Sequence, residues 1–211
     1  AAKIHGSALE YTVKPHPERF LPYAEEGMRA ADGILVGSRH TAQSLWAALP
    51  GIPNLQEKTR LGPPGVDTEL FRPAAPPATG PAGRGARVVF VGKLIVSKGV
   101  DLLLAAWPLV HARAPDARLL VVGFGAYREG LGSLVAALAR ADLDAVVALA
   151  TRGRGAEGGE EAPLTYLTAF LDGLTGEERA AYLAAAPAAA AAVRFTGALD
   201  HGDLPAVLPA F

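Results

Sequence analysis

The chain has no cysteine and a single methionine. Without thiols there is neither a disulfide framework nor a thiolate metal site, which fits a reducing compartment. An excess of either charge is also missing: 20 Lys and Arg against 21 Asp and Glu leave a formal net charge of -1. No field of one sign favours a long polyanion, so nucleic acid is not expected as a partner. Long hydrophobic runs are absent too. The most continuous apolar stretch, AAYLAAAPAAAAAV at 180–193, is mostly alanine and carries Pro187 in its middle. A spanning helix needs about 20 strongly apolar residues, so no transmembrane segment is expected. The opening AAKIHGSALEY has neither a basic n-region nor an apolar h-region. These absences describe a soluble protein, expected in the cytoplasm.

What is present is an alternation of apolar strands and amphipathic helices, in a chain long enough for one large domain or parts of two. AAKIHGS (1–7) reads as a strand, KPHPERFLP (14–22) as a proline-broken loop and YAEEGMRAADG (23–33) as a helix. ILVGS (34–38) is a compact strand and RHTAQSLWAAL (39–49) the helix after it. Residues 50–85, crowded with Pro and Gly and without periodicity, read as a linker. Then RVVFVGK leads into KGVDLLLAAWPLVHAR, with a kink expected at Pro108, and ARLLVVGFG leads into YREGLGSLVAALAR. Strands that are apolar on both faces predict a parallel sheet covered by helices on each side. Residues 141–192 read as an insert, with a flexible surface loop TRGRGAEGGEEAP before one or two alanine-rich helices. VRFTG (193–197) is the next strand and HGDLPAVLPAF opens a further helix. The chain begins inside a strand and stops on a helix, so a slice of a longer two-domain enzyme is expected.

The sharpest local signal is VVFVGKLIVSKGVDLLLAAW at 88–107. A loop that leaves a parallel strand and opens a helix lies at the sheet's carboxyl edge, where ligands bind in open α/β folds. The helix N-terminus offers unpaired N–H groups and about half a positive charge to a phosphate. Ser97 is a suitable N-cap, and Gly99 lets the backbone approach closely. Lys93 and Lys98 bracket the loop. A lone lysine is by default a solvated surface residue, but two of them flanking one strand-to-helix loop favour a bound anion. The Walker pattern G-x-x-x-x-G-K-[ST] and the dinucleotide fingerprint G-x-G-x-x-G do not occur. Gly123 and Gly125, at the tip of the following strand, are turn glycines or a second wall of the same site.

Taken in order, RLGPPGVDTELFRP, the block around the two lysines, LLVVGFGAYREGL and VRFTGALDHGDL resemble the retaining glycosyltransferases of family four. That resemblance covers most of 1–140 and 193–211 and implies an α/β chain of GT-B type, with Rossmann-like parallel sheets, incomplete at both ends; the mostly helical insert read at 141–192 has no match in it. It divides the chain into the end of an acceptor-side domain (1–62), an interdomain linker (63–86) and an incomplete nucleotide-sugar-binding domain (87–211). It implies transfer of a hexosyl group from a nucleotide-diphosphate sugar to an acceptor hydroxyl with retention of configuration, the acceptor being a sugar, a lipid or a small metabolite. It places the donor diphosphate on Lys93, Lys98, Gly92 and Gly99, with no metal and no further cofactor. Lys93 stands where Arg is more usual, so a point charge replaces a forked grip. His5, at the end of KIHGS, is matched to the histidine that faces the donor sugar and assists transfer. Gly123, Gly125, Gly197 and Leu199 are matched to the nucleotide's surroundings. Where acceptors are lipids, the family extends to peripheral contact with the inner membrane surface. The paired glutamates of the family are expected beyond Phe211, so this segment alone is expected not to turn over substrate.

Other signals are set aside. DLD at 142–144 follows a helix rather than a strand end and is not expected to hold a metal. Trp46 and Trp107, at helical spacing from leucines, are expected in the core, His40 and His111 are expected to cap or flank helices, and EGGEEAP is expected to be a solvated acidic loop. Two alternatives share the architecture. One is a phosphorylase or sugar-nucleotide epimerase, the other a non-catalytic nucleotide-sugar-binding or scaffold relative.

Overall fold

The computed structural model describes residues 1–72 and 85–208. Residues 73–84, half of the expected linker at 63–86, and Phe211 therefore lie outside the described residues. The chain divides into two compact units, Ala1–Thr68 and Glu69–Phe211.

The first unit is built on a three-stranded parallel sheet of β1 (Ala2–Ile4), β2 (Ile34–Val36) and β3 (Thr59–Leu61), in that order. Ile34 sits opposite both Ala2 and Thr59. A single helical turn, α1 (Gly6–Ala8), runs into a π-helical turn over Leu9–Val13, followed by α2 (Pro17–Ala30) and α3 (Arg39–Ala48). Ile34, Val36, Leu45 and Leu49 form the centre of its core with Met28 and Leu9. Two expectations fail here. KPHPERFLP is not a loop throughout, because α2 starts at Pro17 and carries Pro22 inside it. Proline at the first helical position costs nothing, since that N–H has no partner anyway, and packing of the helix outweighs the one bond lost at Pro22. The stretch 50–85 is not all linker either. Thr59–Leu61 pairs with β2, and Gly62 N–H continues the ladder to the Val36 carbonyl at 2.9 Å. Trp46 is half-buried rather than a core anchor, and its Nε1 donates to Thr59 Oγ1 at 3.2 Å.

The second unit carries a parallel sheet in the order β4 (Arg87–Val91), β5 (Arg118–Val122), β6 (Val193–Gly197). Helix α4 (Val100–Arg113) connects β4 to β5. The β5-to-β6 crossover holds α5 (Arg128–Ala139), α6 (Leu143–Arg152), α7 (Thr165–Gly173) and α8 (Gly176–Ala191), and α9 (Leu204–Val207) follows β6. Trp107 of α4 is buried as expected, and His111 is buried in the same helix rather than flanking it.

The expected insert at 141–192 is mostly helical and packs into the core of the second unit rather than standing apart from it. Leu167, Leu171, Tyr182, Ala186 and Ala189 lie in one core with Leu104, Trp107, Leu119 and Leu134. The alanines of α8 present little bulk, so the helix can approach α4 and α5 closely; Ala186, Ala189 and Ala190 are buried there. Buried Tyr182 donates from its hydroxyl to the Ala105 carbonyl at 2.8 Å. That bond lies beside the turn where Pro108 leaves the Leu104 carbonyl without its helical donor. Burial pushes the Tyr182 hydroxyl up to about 12, so it stays a donor. The expected flexible loop at 151–163 is also ordered into structure. Helix α6 runs to Arg152, Arg154–Glu157 forms a 3-10 turn, and Gly153 bridges to Ala162. No helix among the described residues is long and apolar enough to cross a membrane.

Replacing Tyr182 with phenylalanine removes the bond to Ala105 while keeping the ring. The expected loss is about 1 kcal/mol, read as a lowered urea midpoint with an unchanged slope.

Candidate functional site

The sequence-predicted residues other than His5 lie at the carboxyl edge of the second sheet. Beyond the last paired residues the backbones stay joined. Gly92 N–H donates to the Val122 carbonyl at 3.0 Å, Leu94 N–H to Phe124 at 2.8 Å, Tyr127 N–H to Leu94 at 3.1 Å, and Gly123 N–H to Gly197 at 2.8 Å. This closeness requires glycine. A Cβ on Gly123 would lie 1.8 Å from the Gly92 carbonyl oxygen, and one on Gly125 would lie 2.2 Å from that of Leu94. Both glycines thus serve backbone-to-backbone contact, and they hold the loop after β4 against the loop after β5. Leu94 is fully buried and pins the loop to the core. Gly197 takes a left-handed φ of 79° at the end of β6, and Leu199 lies partly exposed just beyond it.

After Leu94 the chain makes a 3-10 turn, Val96–Lys98, and reaches Gly99, whose φ of 65° and ψ of 25° set the start of α4. Gly99 is therefore the N-cap. Ser97, expected in that role, lies within the 3-10 turn, exposed, and its hydroxyl caps nothing. Lys93 and Lys98 are both exposed on this loop, with no ion-pair partner among the described residues. Two ammonium groups and the positive end of a 14-residue helix thus share one loop. Phe124, between the two glycines, is 64% exposed and offers an apolar ring at the same edge.

Three groups at this place carry no signal in the sequence. Glu157, part of the supposed solvated acidic loop, accepts a hydrogen bond from Val96 N–H at 2.6 Å, 61 residues away. Its position is set by the glycine-dependent turn at Gly153, where a Cβ would lie 1.8 Å from the Ala162 carbonyl oxygen. Asp101, in the first turn of α4, is 5% exposed, and its Oδ1 has no hydrogen-bond partner among the described residues. Burial pushes its carboxyl up, the backbone N–H groups of Leu102 and Asp101 itself oppose this, and the negative charge of Glu157 adds a further push upward. Tyr127 is buried at the start of α5, and its hydroxyl is also raised, by burial first and then by Asp101 and Glu157.

His5 belongs to the other unit. It follows β1 in extended conformation (φ -95°, ψ 133°), precedes α1 and exposes its ring, which makes no capping bond. DLD at 142–144 is helix chemistry: Asp142 Oδ1 accepts from Ala145 N–H at 3.0 Å and caps α6. Among the described residues no group of three His, Cys, Asp or Glu is placed to hold a metal ion.

Residues 85–152 match the family model described as glycosyl transferases group 1. The chain is 34% identical over 150 residues to a GDP-mannose-dependent alpha-(1-6)-phosphatidylinositol monomannoside mannosyltransferase of Mycolicibacterium smegmatis, covering 67% of this chain and 36% of that protein. The enzyme of the same name from Mycobacterium tuberculosis is 30% identical over 139 residues, 63% of this chain and 34% of its own. A D-inositol 3-phosphate glycosyltransferase of Segniliparus rotundus is 44% identical over 71 residues, 32% of this chain and 16% of its own. The chain thus spans about a third of the length of the mannosyltransferases it matches. No solved structure matches it.

Two substitutions test the architecture of this edge. Gly123→Ala is expected to destabilise the chain by about 1–3 kcal/mol in urea unfolding, because one of two joined backbones must move. Glu157→Gln is expected to raise hydrogen exchange at the Val96 amide about tenfold, as a charge-assisted acceptor becomes a neutral one. Exchange in β4 should stay unchanged.

Proposed function

We propose, from a chain that belongs to the group 1 glycosyl transferases of family-four type, that the second unit binds the diphosphate of a nucleotide sugar at its sheet edge. The whole enzyme would then move a hexosyl group from that donor to an acceptor hydroxyl with retention of configuration. The observation that carries this reading is the loop 92–99: two exposed lysines without ion-pair partners among the described residues, at the start of a long helix, on a backbone clamped by Gly123 and Gly125.

The chemistry follows from charge. When the anomeric bond breaks, negative charge grows on the departing diphosphate. Fixed donors aimed at that position lower the barrier because they need no reorganisation. Lys93 and Lys98 supply ammonium donors, and the opening of α4 supplies N–H groups and its dipole. Glu157 already engages the Val96 N–H, so the phosphate would draw on the amides nearer Gly99. Phe124 would offer its exposed ring to the nucleobase, with Gly197 and Leu199 as backbone neighbours. By the family resemblance, His5 would assist transfer. The names of the relatives favour a GDP-linked mannosyl donor and an inositol-containing acceptor.

Calorimetric titration with GDP, UDP and GMP tests the reading. Saturable binding of a nucleoside diphosphate is expected, weaker for GMP. Lys93→Ala and Lys98→Ala are each expected to weaken it about tenfold, or about 1.4 kcal/mol. Failure to bind any diphosphate, or binding indifferent to both lysines, would sink the proposal.

A further inference from the structure

In the first unit α3 buries two hydroxyl-bearing side chains, Thr41 and Ser44, each 8% exposed. Packing alone would favour apolar side chains at such positions. Both residues lie on the side of α3 that meets the segment after His5. A Cβ on Gly6 would stand 3.3 Å from Thr41 Oγ1. Four residues later, Glu10 Oε1 accepts a hydrogen bond from Ser44 Oγ. Gly6 and Glu10 are about one helical turn apart, as are Thr41 and Ser44, so the two segments meet along matching faces.

A third group closes the Glu10 contact. Lys14 Nζ donates to both Glu10 oxygens, at 2.9 and 3.0 Å, and to Ser44 Oγ at 2.6 Å. The serine hydroxyl thus accepts from the ammonium and gives its proton to the carboxylate. Ser44 first, and Lys14 after it, hold the Glu10 carboxyl below its usual range. The charges of Lys14 and His40 add to this against the opposing push of burial, so Glu10 stays an ionised acceptor. Among the described residues no other hydrogen bond joins residues 6–14 to α3. The triangle ties down the π-helical turn Leu9–Val13, whose closing bond runs from Lys14 N–H to the Leu9 carbonyl at 3.0 Å. Such turns are rare and occur often at functional sites.

That turn leads straight back to His5. Leu9 N–H donates to the Gly6 carbonyl, and Ala8 N–H to the His5 carbonyl at 3.1 Å. The His5 ring is exposed and caps nothing, so the backbone that carries it sets its direction. We propose that Ser44, with Glu10 and Lys14, is a positioning device for His5, fixing the helical turn behind the imidazole against α3. The part His5 plays in transfer rests on the reading above; the triangle that holds its turn does not.

The test follows the 211-residue chain by NMR, reading the His5 ring resonances and hydrogen exchange at the Lys14 amide. Ser44→Ala and Glu10→Ala are each expected to shift the His5 ring resonances and to speed Lys14 exchange about tenfold, as a charge-assisted bond is lost. The Trp46 indole resonance, two residues further along α3, should stay in place. The double variant is expected to add nothing to either single one, because both remove the same contact. Lys14→Ala, at an exposed position, should give the same two responses without touching the core. His5 resonances unmoved in all three single variants, or effects of Ser44→Ala and Glu10→Ala that simply add, would overturn the proposal. GDP carries no sugar for His5 to face, so its binding is expected to be the same with and without Ser44→Ala. GDP binding with an indifferent His5 overturns this inference alone, and a responsive His5 without GDP binding overturns the donor reading alone.

Discussion

Three backbone hydrogen bonds beyond the ends of the strands, Gly92 to Val122, Leu94 to Phe124 and Tyr127 to Leu94, hold the loops of the second unit together. In most parallel sheets the loops after neighbouring strands diverge as each turns toward its helix. Here they stay in contact, which is possible only because Gly123 and Gly125 have no side chain to place between them. The charged loop inherits its position from that contact. Leu94, donor to one strand tip and acceptor from the start of α5, is also fully buried. The exposed lysines therefore stand on a fixed base rather than on a free loop.

A second constraint comes from the crossover between β5 and β6. Its helices do more than link two strands. Helix α8 covers α4 with alanines, and Tyr182 reaches the Ala105 carbonyl in the turn that Pro108 disturbs. The 3-10 turn before α7 sends Glu157 to the Val96 amide. One segment thus stabilises the helix at its middle and at its opening. A carboxylate close to the proposed anion site would oppose an incoming phosphate by Coulomb repulsion, while its hydrogen bond holds the Val96 amide in place.

Much of this was legible in the sequence. The strands at 87–91 and 118–122 announce themselves as runs of Val, Leu and Phe, and the lysines stand out because they interrupt such a pattern. What stayed hidden has physical causes. β3 spans three residues, too few for any period to register, and exists only because β2 offers it an edge. Three prolines in KPHPERFLP suggest a loop, although one at the first helical position is compatible with a helix and another is tolerated inside it. Alanine-rich α8 has a weak pattern because its buried face is defined by the shape of its neighbours rather than by large apolar side chains. Glu157 sits among glycines and acids that read as solvated. Only the turn at Gly153 brings it to Val96, and contacts across 61 residues leave no local trace.

That long reach between Glu157 and Val96 also orders events in time. Closing so wide a loop costs chain entropy before any contact repays it. The strand and helix that flank the lysines can form early from local contacts, yet the turn between them acquires its carboxylate partner only once the crossover has packed. On a ribosome, a nascent chain that has emerged only through α4 would carry both ammonium groups on an unfinished mount. Competence to grip an anion would therefore be among the last properties this unit acquires as it matures.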